Sequence, residues 1–418
     1  MLLQYQLDKH SHGVVHAADS SLATADRALR ILLIVESSGA GTGRHVLDLA
    51  SGLIARGCDV HLIYSTNRMD RAFSRRLADM RFLCKAVVPM RTSIHPQDIL
   101  AVRSVFQYVR AAGPFDVIHG HSSKGGAIAR LAAIIARVPA FYTLHGLIMM
   151  DPMLAGWKRF MYLSIERALA LATSRIIAVS PEEARAAVAL KLGRSRVVIV
   201  PNGVDKPELA PRSEARRAME IPDDAVVAGF VGRLVVQKAP DVLLHAFARA
   251  SASVPTACLA MIGSGPMDKR LRNLARVLGI ADRVRWLGEC DAREFLAGFD
   301  VFALASRKEG LPYVVLEAMA AGLPVVAASS AGVESLLTND ENGYIVRPDD
   351  PDAFAEGLVS LLRDPVRRAA FGQASLDRVA HFSIDAMVDR TLDLYCQAVY
   401  AEEDVVGGDR GNRPGESR

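Results

Sequence analysis

Short runs of β-branched and aliphatic residues alternate with longer segments of helical periodicity along most of this 418-residue chain. Such alternation is typical of parallel strands joined by crossover helices, which cover both faces of one sheet. The predicted strands of the first half are 31–35, 60–64, 82–88, 117–119, 140–144, 176–179 and 197–200. Helices are predicted between them, for example over 43–55, 94–111 and 123–136. The pattern therefore predicts an α/β fold.

The alternation is interrupted once, by the turn-forming residues Pro201-Asn202-Gly203-Val204-Asp205, and then restarts. The predicted strands of the second half are 226–231, 257–262, 284–287, 301–304, 324–327 and 344–346. We therefore predict two doubly wound domains facing across a cleft, over residues 30–205 and 206–383. A loose N-terminal tail, residues 1–29, precedes them. A helix over 384–401 and a charged, Gly-rich disordered tail, 402–418, follow them.

Composition excludes several classes of protein. The net charge of +4 is mild for this length and does not indicate nucleic-acid binding. The five cysteines are scattered without a CxxC pair, which predicts a reduced chain with neither disulfides nor a zinc site. No apolar run approaches the ~18 residues that span a bilayer, and the N-terminus lacks a signal-like pattern. We expect a cytoplasmic protein, with peripheral contact at the inner face of a membrane as an open alternative.

Ligands of doubly wound sheets bind at the carboxyl ends of the strands, so the segment after strand 301–304 carries the strongest chemical signal. There Pro312 suits the first position of a helix. The N–H groups of Tyr313, Val314 and Val315 would then point out of the helix end and bind a diphosphate. The alternative is an ordinary capped core helix.

Two glutamates flank this helix start. Glu317, farther along the helix, is placed to accept hydrogen bonds from two ribose hydroxyls, and Glu309, in the loop, to reach a sugar beyond the phosphates. Gly310 lets the backbone approach a ligand closely.

The loop after strand 226–231 offers positive charge. Gly232 ends the strand, and Arg233 and Lys238 follow five residues apart, as suits the neutralisation of a diphosphate. A solvated basic loop is the alternative. The loop after strand 257–262, which begins at Gly263, is a tight turn into a helix and carries little information alone.

Together these segments resemble a known family. Gly232-Arg233 with Lys238, Gly263-Ser264-Gly265-Pro266, Leu287-Gly288 and Glu309-x7-Glu317 closely resemble the GT-B, family 4 type of retaining glycosyltransferases (glycosyl transferases group 1), from about residue 30 to residue 400. The resemblance implies two Rossmann-like domains, with the C-terminal helix crossing back to the first. It implies catalytic roles for Arg233, Lys238 and Glu309. It implies that donor binding uses Gly232, Gly263, Gly310, Leu311, Tyr313, Val314 and Glu317.

The first half has its own candidate residues. Gly41 and Gly43, after the first strand, match small residues that the family places over the donor. His145 matches the family histidine that contacts donor sugar and reaction centre. His121, at another strand end, is a further binding candidate. Lys124 is either a ligand of an acceptor phosphate or a surface lysine.

The resemblance implies transfer of a hexose-type sugar from a nucleotide-diphosphate sugar, with UDP favoured over GDP. The acceptor would be a glycan or polyprenyl-diphosphate-linked glycan of cell-surface polysaccharide synthesis, as in capsule, exopolysaccharide and lipopolysaccharide enzymes. We expect retention of configuration, no metal and no cofactor. Asp350-Pro351-Asp352 has the spacing of a metal-binding motif, but its position favours helix capping. The basic residues between Arg68 and Lys85 form either a solvated helix face or a contact for anionic lipid.

Other functions fit the sequence less well. Dinucleotide binding needs an acidic residue after the second strand, and Ser65-Thr66-Asn67 supplies none. A P-loop is absent. An epimerase needs carboxylates on both sides of the sugar, and the inspected first-half loops offer only Glu36. A phosphorylase is disfavoured by the chain's length and by the lack of an evident cofactor lysine. A nucleotide-sugar-binding protein without catalysis stays as a further alternative.

Overall fold

The computed structural model describes residues 27–80, 83–91, 93–150, 154–330 and 332–407. Most of the predicted N-terminal tail and residues 408–418 of the predicted C-terminal tail lie outside these ranges. Within them the chain forms two parallel sheets flanked by helices, which confirms the predicted α/β class.

The first sheet has seven strands in the order β3-β2-β1-β4-β5-β6-β7. They are β1 Arg30–Val35, β2 Asp59–Tyr64, β3 Cys84–Val87, β4 Val117–His121, β5 Ala140–Thr143, β6 Arg175–Ala178 and β7 Val197–Ile199. The direction of strand addition reverses between β1 and β4, which is the switch point of a doubly wound sheet. All seven strands predicted in the first half are present.

The second sheet has six strands in the order β10-β9-β8-β11-β12-β13. They are β8 Val226–Val231, β9 Ala257–Ile262, β10 Val284–Gly288, β11 Val301–Leu304, β12 Val325–Ala328 and β13 Gly343–Val346. Its order repeats that of the first sheet, with the switch point between β8 and β11. Strands β9, β11 and β12 are buried along their whole length, and β8 is buried except at its two end residues, as expected of parallel strands covered on both faces.

Fourteen α-helices lie within the described residues. The first seven are α1 Ala40–Ala55, α2 Arg71–Asp79, α3 Asp98–Ala112, α4 Ser122–Ala136, α5 Gly156–Ala170, α6 Pro181–Ala189 and α7 Arg212–Ala218. The others are α8 Pro240–Ser253, α9 Asp268–Val277, α10 Tyr313–Ala320, α11 Val333–Leu336, α12 Pro351–Arg363, α13 Pro365–Val379 and α14 Ile384–Gly407.

Helix α3 begins four residues later than predicted. Pro96 disfavours helical geometry at His95. The His95 N–H instead donates to Asp98 Oδ2 at 2.9 Å, which closes a turn ahead of the helix. The apolar periodicity that predicted a start at residue 94 therefore did not mark the helix boundary.

By internal packing the chain divides into two compact units. Of the described residues, the first unit comprises those up to 142, 172–174 and 395–407, and the second comprises those within 143–171 and 175–394. Helix α14 starts in the second unit, and from Tyr395 onward it is grouped with the first, as the predicted crossover requires. It ends at Gly407, beyond the predicted end at residue 401. The domain boundaries drawn from the sequence stay predictions.

None of the helices, over the residues described, combines the length and apolar character that crossing a membrane requires.

Candidate active site

The switch point of the second sheet brings two of the predicted loops together. Strands β8 and β11 are parallel neighbours, with Val301 opposite Ala228 and Phe302 opposite Gly229. Their carboxyl ends lead into the loops that carry Lys238 and Glu309. A crevice outside the carboxyl ends at such a point is where ligands of doubly wound sheets bind.

Lys238 and Glu309 form an ion pair. Lys238 Nζ lies 2.6 Å from Glu309 Oε1, and the two side chains are only 16% and 9% exposed. They are 71 residues apart in sequence. A partly buried pair is screened less by salt than a surface pair, so each charge depends on the other. The structure thus joins two residues that the sequence assigned to separate tasks.

The loop after β8 is held against the loop after β9 by two backbone hydrogen bonds. Gly232 N donates to Ile262 O at 2.9 Å, and Leu234 N donates to Ser264 O at 2.8 Å. Gly263 has φ +132°, and a β-carbon there would lie 2.0 Å from Gly232 O. Only glycine fits, so Gly263 supports the loop through close backbone packing. Arg233 is exposed at the same edge of the sheet.

The start of α10 differs from the prediction. Pro312 is the N-cap, with extended backbone, rather than the first helical residue. Val315 N and Leu316 N donate to Pro312 O at 3.1 and 3.3 Å. The helix end therefore presents fewer outward N–H donors than predicted, since that of Val315 is used internally. Tyr313 is buried and Val314 partly exposed at this end.

Two further predicted residues adjoin this helix. Leu311 is buried, and its carbonyl accepts a hydrogen bond from Asn202 Nδ2 at 3.0 Å. Glu317 is half-buried on α10. At Gly310 a β-carbon would meet only ordinary contacts, 3.8 Å from Val179 Cγ2, and its backbone is not strained. The packing of the protein around residue 310 therefore does not by itself require glycine.

His145 follows β5 in a constrained loop. It has φ +53°, a left-handed conformation that is uncommon for a residue with a β-carbon, and Gly146 follows with φ +97°. Such backbone persists only where surrounding contacts hold it, and it is concentrated at functional sites.

The contact that holds this loop is Glu183, a residue that the sequence analysis missed. Glu183 is buried on α6, and its Oε1 accepts from Gly146 N at 2.5 Å. Its Oε2 accepts from Val179 N at 2.9 Å, at the end of β6. Burial raises the pKa of the Glu183 carboxyl, while the two N–H donors and Lys308 act in the opposite direction. The capping sequence Ser180-Pro181-Glu182-Glu183 predicts a helix start but not this long-range role.

If the chain catalyses the sugar transfer that the resemblance implies, we expect Glu183→Gln to lower kcat by about ten- to hundredfold, because an ångström-scale displacement of a reacting group has effects of that size. The glutamine amide would place an N–H donor against one of the two backbone N–H groups, which displaces the loop carrying His145. Steady-state kinetics with saturating donor measure the change.

The matched control is Glu214→Gln, a carboxylate in the exposed first turn of α7. It should leave kcat unchanged. An unaltered kcat in the Glu183 variant would contradict a positioning role for this carboxylate.

The switch point of the first sheet carries Gly41 and Gly43 at the start of α1. A β-carbon at Gly43 would lie 2.8 Å from the Ser38 carbonyl carbon and 2.9 Å from Phe73 Cδ2, so this glycine is required for packing. Asp70 Oδ2 accepts from Ala40 N at 2.6 Å and so occupies one donor of the helix end. Gly41 lies within the first turn.

His121 ends β4 and is the N-cap residue of α4. It is fully buried, with its ring 4.1 Å from that of His119 and 5.4 Å from that of His45. His119 Nδ1 contacts the hydroxyl of Tyr395 on α14. Burial, with a smaller contribution from His45, holds the pKa of His119 well below its usual value.

Contacts decide one of the sequence alternatives and leave another open. Lys124 Nζ lies 2.7 Å from the Asp98 carboxylate and also donates to Ser93 O at 2.6 Å; as for Lys238, such a pair does not exclude a phosphate ligand, so both interpretations of Lys124 stay open. Asp350 Oδ1 accepts from Ala353 N at 3.0 Å, and Asp352 pairs with Arg249 at 2.7 Å. The Asp-Pro-Asp segment therefore caps α12, as predicted.

Parallel sheets with this strand order, a charged pair at the switch point and a glycine-supported loop are the features of a doubly wound α/β protein whose ligand site lies outside the carboxyl ends of its strands. Comparison with known proteins identifies the family to which this α/β protein belongs. Residues 39–207 match the model of Glycosyltransferase Family 4, and residues 211–378 match that of Glycosyl transferases group 1.

Relatives agree with these matches. A D-inositol 3-phosphate glycosyltransferase of Stackebrandtia nassauensis is 34% identical over 306 residues, which cover 69% of each chain. The UDP-Gal:alpha-D-GlcNAc-diphosphoundecaprenol alpha-1,3-galactosyltransferase of Escherichia coli is 28% identical over 72% of this chain and 80% of its own. The chain belongs to the family 4, group 1 glycosyltransferases and is a glycosyltransferase.

A solved structure supports the same fold. Anabaena HepE in complex with UDP and glucose superposes with a TM-score of 0.75 at 22% identity, over 87% of this chain and 98% of the HepE chain. The fold is therefore GT-B.

Proposed function

We propose that this glycosyltransferase moves a hexose from a UDP-sugar to a glycan carried on a polyprenyl diphosphate, with retention of configuration, in cell-surface polysaccharide synthesis. The hydroxyl group of the acceptor attacks from the face that the diphosphate leaves, and the departing phosphate takes its proton. The protein's part is to fix both substrates and to stabilise the charge that develops on the diphosphate.

The observation that carries this proposal is the Lys238–Glu309 pair at the switch point of the second sheet. A lysine held by a carboxylate is positioned before the donor arrives, so little reorganisation is needed as negative charge develops. Arg233 on the same loop adds a second, forked cation. In this proposal Glu309 contacts the sugar beside the diphosphate.

The choice of donor and acceptor draws on relatives. The Escherichia coli relative is named for transfer of galactose from UDP to a diphosphoundecaprenol-linked sugar. The Anabaena structure holds UDP and glucose. We give UDP precedence over GDP on these grounds.

Calorimetric binding of UDP, GDP, ADP and dTDP identifies the nucleobase of the donor. Hydrolysis of hexose donors that carry the preferred nucleotide then identifies the sugar. Proton NMR of the transferred sugar's anomeric signal tests retention. Tighter binding of GDP than of UDP would contradict the proposed donor, and an inverted anomeric centre would contradict retention. Binding without any turnover would favour the alternative of an inactive binding protein.

Glu317→Ala is expected to weaken UDP binding by about ten- to hundredfold, because hydrogen bonds to a charged acceptor contribute about 1.5–3 kcal/mol. Calorimetry measures the dissociation constant. The matched control is Glu356→Ala, an exposed glutamate on α12 of the same unit, which should bind UDP as the wild type does. An unchanged affinity in the Glu317 variant would remove the ribose assignment.

Catalysis without a metal is part of the proposal, since Lys238, Arg233 and the start of α10 supply positive potential at the diphosphate. We expect full activity after exhaustive dialysis against EDTA. A loss of activity that Mg²⁺ or Mn²⁺ restores would contradict it. Asp350→Ala with Asp352→Ala, which removes the literal metal-binding spacing, should reduce stability by loss of the cap but leave kcat unchanged.

A further inference from the structure

Helix α5 turns an apolar stripe toward solvent. Its exposed aromatic residues are Trp157 and Phe160, which are 67% and 73% exposed, and Leu171 at its C-cap is 76% exposed. Residues spaced three, four, seven, eleven and fourteen positions after Trp157 share one face of a helix. That face consists of Trp157, Phe160, Met161, Ser164, Ala168 and Leu171.

Helix α5 differs from an ordinary surface helix in what it buries and what it exposes. Its carboxylate, Glu166, is buried, whereas Trp157, Phe160 and Ile165 are exposed together with its cations. Ser164 Oγ donates to the Phe160 carbonyl at 2.9 Å, which satisfies the hydroxyl within the helix. Contiguous exposed apolar surface of this kind marks an interaction site.

Charge beside the stripe identifies the partner. Lys158 and Arg167 are exposed on either side of the stripe, whereas Arg159 lies on the opposite side of the helix, and the single carboxylate of the helix is the buried Glu166. Lys158 Nζ lies 5.5 Å from the centre of the Trp157 ring. Tryptophan and phenylalanine beside cations, with no exposed acid on the helix, match an anionic lipid surface, where aromatic rings sit at headgroup level.

We propose that α5 lies in the plane of an anionic bilayer, with Trp157 and Phe160 inserted and Lys158 and Arg167 at the headgroups. The proposal rests on the proposed function in one respect: the membrane contact would bring the enzyme to a lipid-linked acceptor. It places the membrane contact on α5 rather than on the basic stretch around α2. There Phe73 and Leu77 are buried and the outer face is polar, so α2 offers charge but nothing to insert.

Vesicle co-sedimentation of the full chain tests the proposal without any sugar substrate. We expect binding to vesicles of phosphatidylcholine that contain about 30 mol% phosphatidylglycerol, because this anionic lipid gives the vesicles a negative surface potential. Trp157→Ser with Phe160→Ser should lower the partition coefficient by about 10–100-fold. Lys158→Gln with Arg167→Gln should lower it by roughly fivefold per charge.

Two matched variants control for general surface effects. Arg71→Gln with Arg75→Gln removes two exposed charges from α2, and Ile134→Ser with Ile135→Ser removes two exposed apolar side chains from α4. Both should bind vesicles as the wild type does. If either control variant lost vesicle binding as the α5 variants are expected to, the assignment of the membrane contact to α5 would be overturned.

Fluorescence reports insertion directly, because the chain has only two tryptophans, Trp157 and Trp286. In a Trp286→Phe background, anionic vesicles should shift the Trp157 emission to shorter wavelength, and brominated lipids should quench it. Absence of the shift, or vesicle binding unaffected by Trp157→Ser with Phe160→Ser, would overturn the proposal. So would concentration-dependent dimerisation through this face in place of vesicle binding.

Failure of this proposal is distinguishable from failure of the proposed function. The α5 variants should release UDP from a soluble UDP-hexose at the wild-type rate, since no α5 residue belongs to the donor site. Vesicle binding by a protein that transfers no sugar would leave the α5 surface standing and remove only the proposed function.

Discussion

Lys238→Ala is expected to lower kcat by about 10²–10³-fold, the effect of removing one fixed group that stabilises developing charge. Lys238 Nζ is held 2.6 Å from Glu309 Oε1 at the carboxyl edge of the second sheet. Its loss removes positive potential from the diphosphate and leaves the Glu309 carboxylate without its cation. Initial rates of nucleotide release and of sugar transfer measure the effect.

The same substitution also affects folding. A carboxylate that is only 9% exposed loses its partner, so we expect the free energy of unfolding to fall by about 1–2 kcal/mol, less than for a fully buried pair. Lys238→Met combined with Glu309→Gln removes both charges and keeps the volume. This double variant should recover stability without recovering activity, which separates charge stabilisation of the reaction from support of the fold.

The control for ion-pair loss is Arg249→Ala. Arg249 pairs with Asp352 at 2.7 Å, but both side chains are largely exposed, and the pair lies between α8 and the start of α12. Exposed pairs contribute little, so stability and kcat should both stay near wild type. If Lys238→Ala kept kcat within threefold of wild type, Lys238 would have no catalytic role.

His145→Ala is expected to lower kcat by about 10²–10³-fold while the KM for the donor changes little. The resemblance assigns this histidine to the donor sugar and reaction centre, and the loop contact of Glu183 fixes its position. A positioned polar group at a reacting centre contributes about this much to the rate. Pre-steady-state transfer with saturating donor separates the chemical step from product release.

Alanine at this position also perturbs the backbone, because residue 145 has φ +53°. His145→Asn is therefore the informative partner, since asparagine accepts the left-handed conformation and removes the imidazole. Both variants should lose kcat alike, whereas His381→Ala, an exposed histidine of the same unit, should not. Recovery of activity in the asparagine variant alone would mean that residue 145 matters for loop geometry and not for chemistry.

Most of the fold was predictable because its signals are local. Thirteen strands follow from short apolar runs between helical segments, and their boundaries fall within a few residues of the observed ones. The donor loops were found because glycine, proline and charge follow directly after predicted strands, where parallel sheets bind ligands. The errors also have local causes. Pro96 moved the start of α3, and Pro312 is the N-cap rather than the first residue of α10.

The sequence by itself determined the α/β class, the two sheets and the positions of Glu309, Lys238 and His145 after their strands. Tertiary structure alone decided that Lys238 and Glu309 pair across 71 residues, that Glu183 holds the His145 loop, and that the apolar stripe of α5 faces solvent. Periodicity reports that side chains share a face of a helix, but it does not say what that face meets. Only the packing of distant segments fixes which charges become partners and which apolar surfaces stay uncovered.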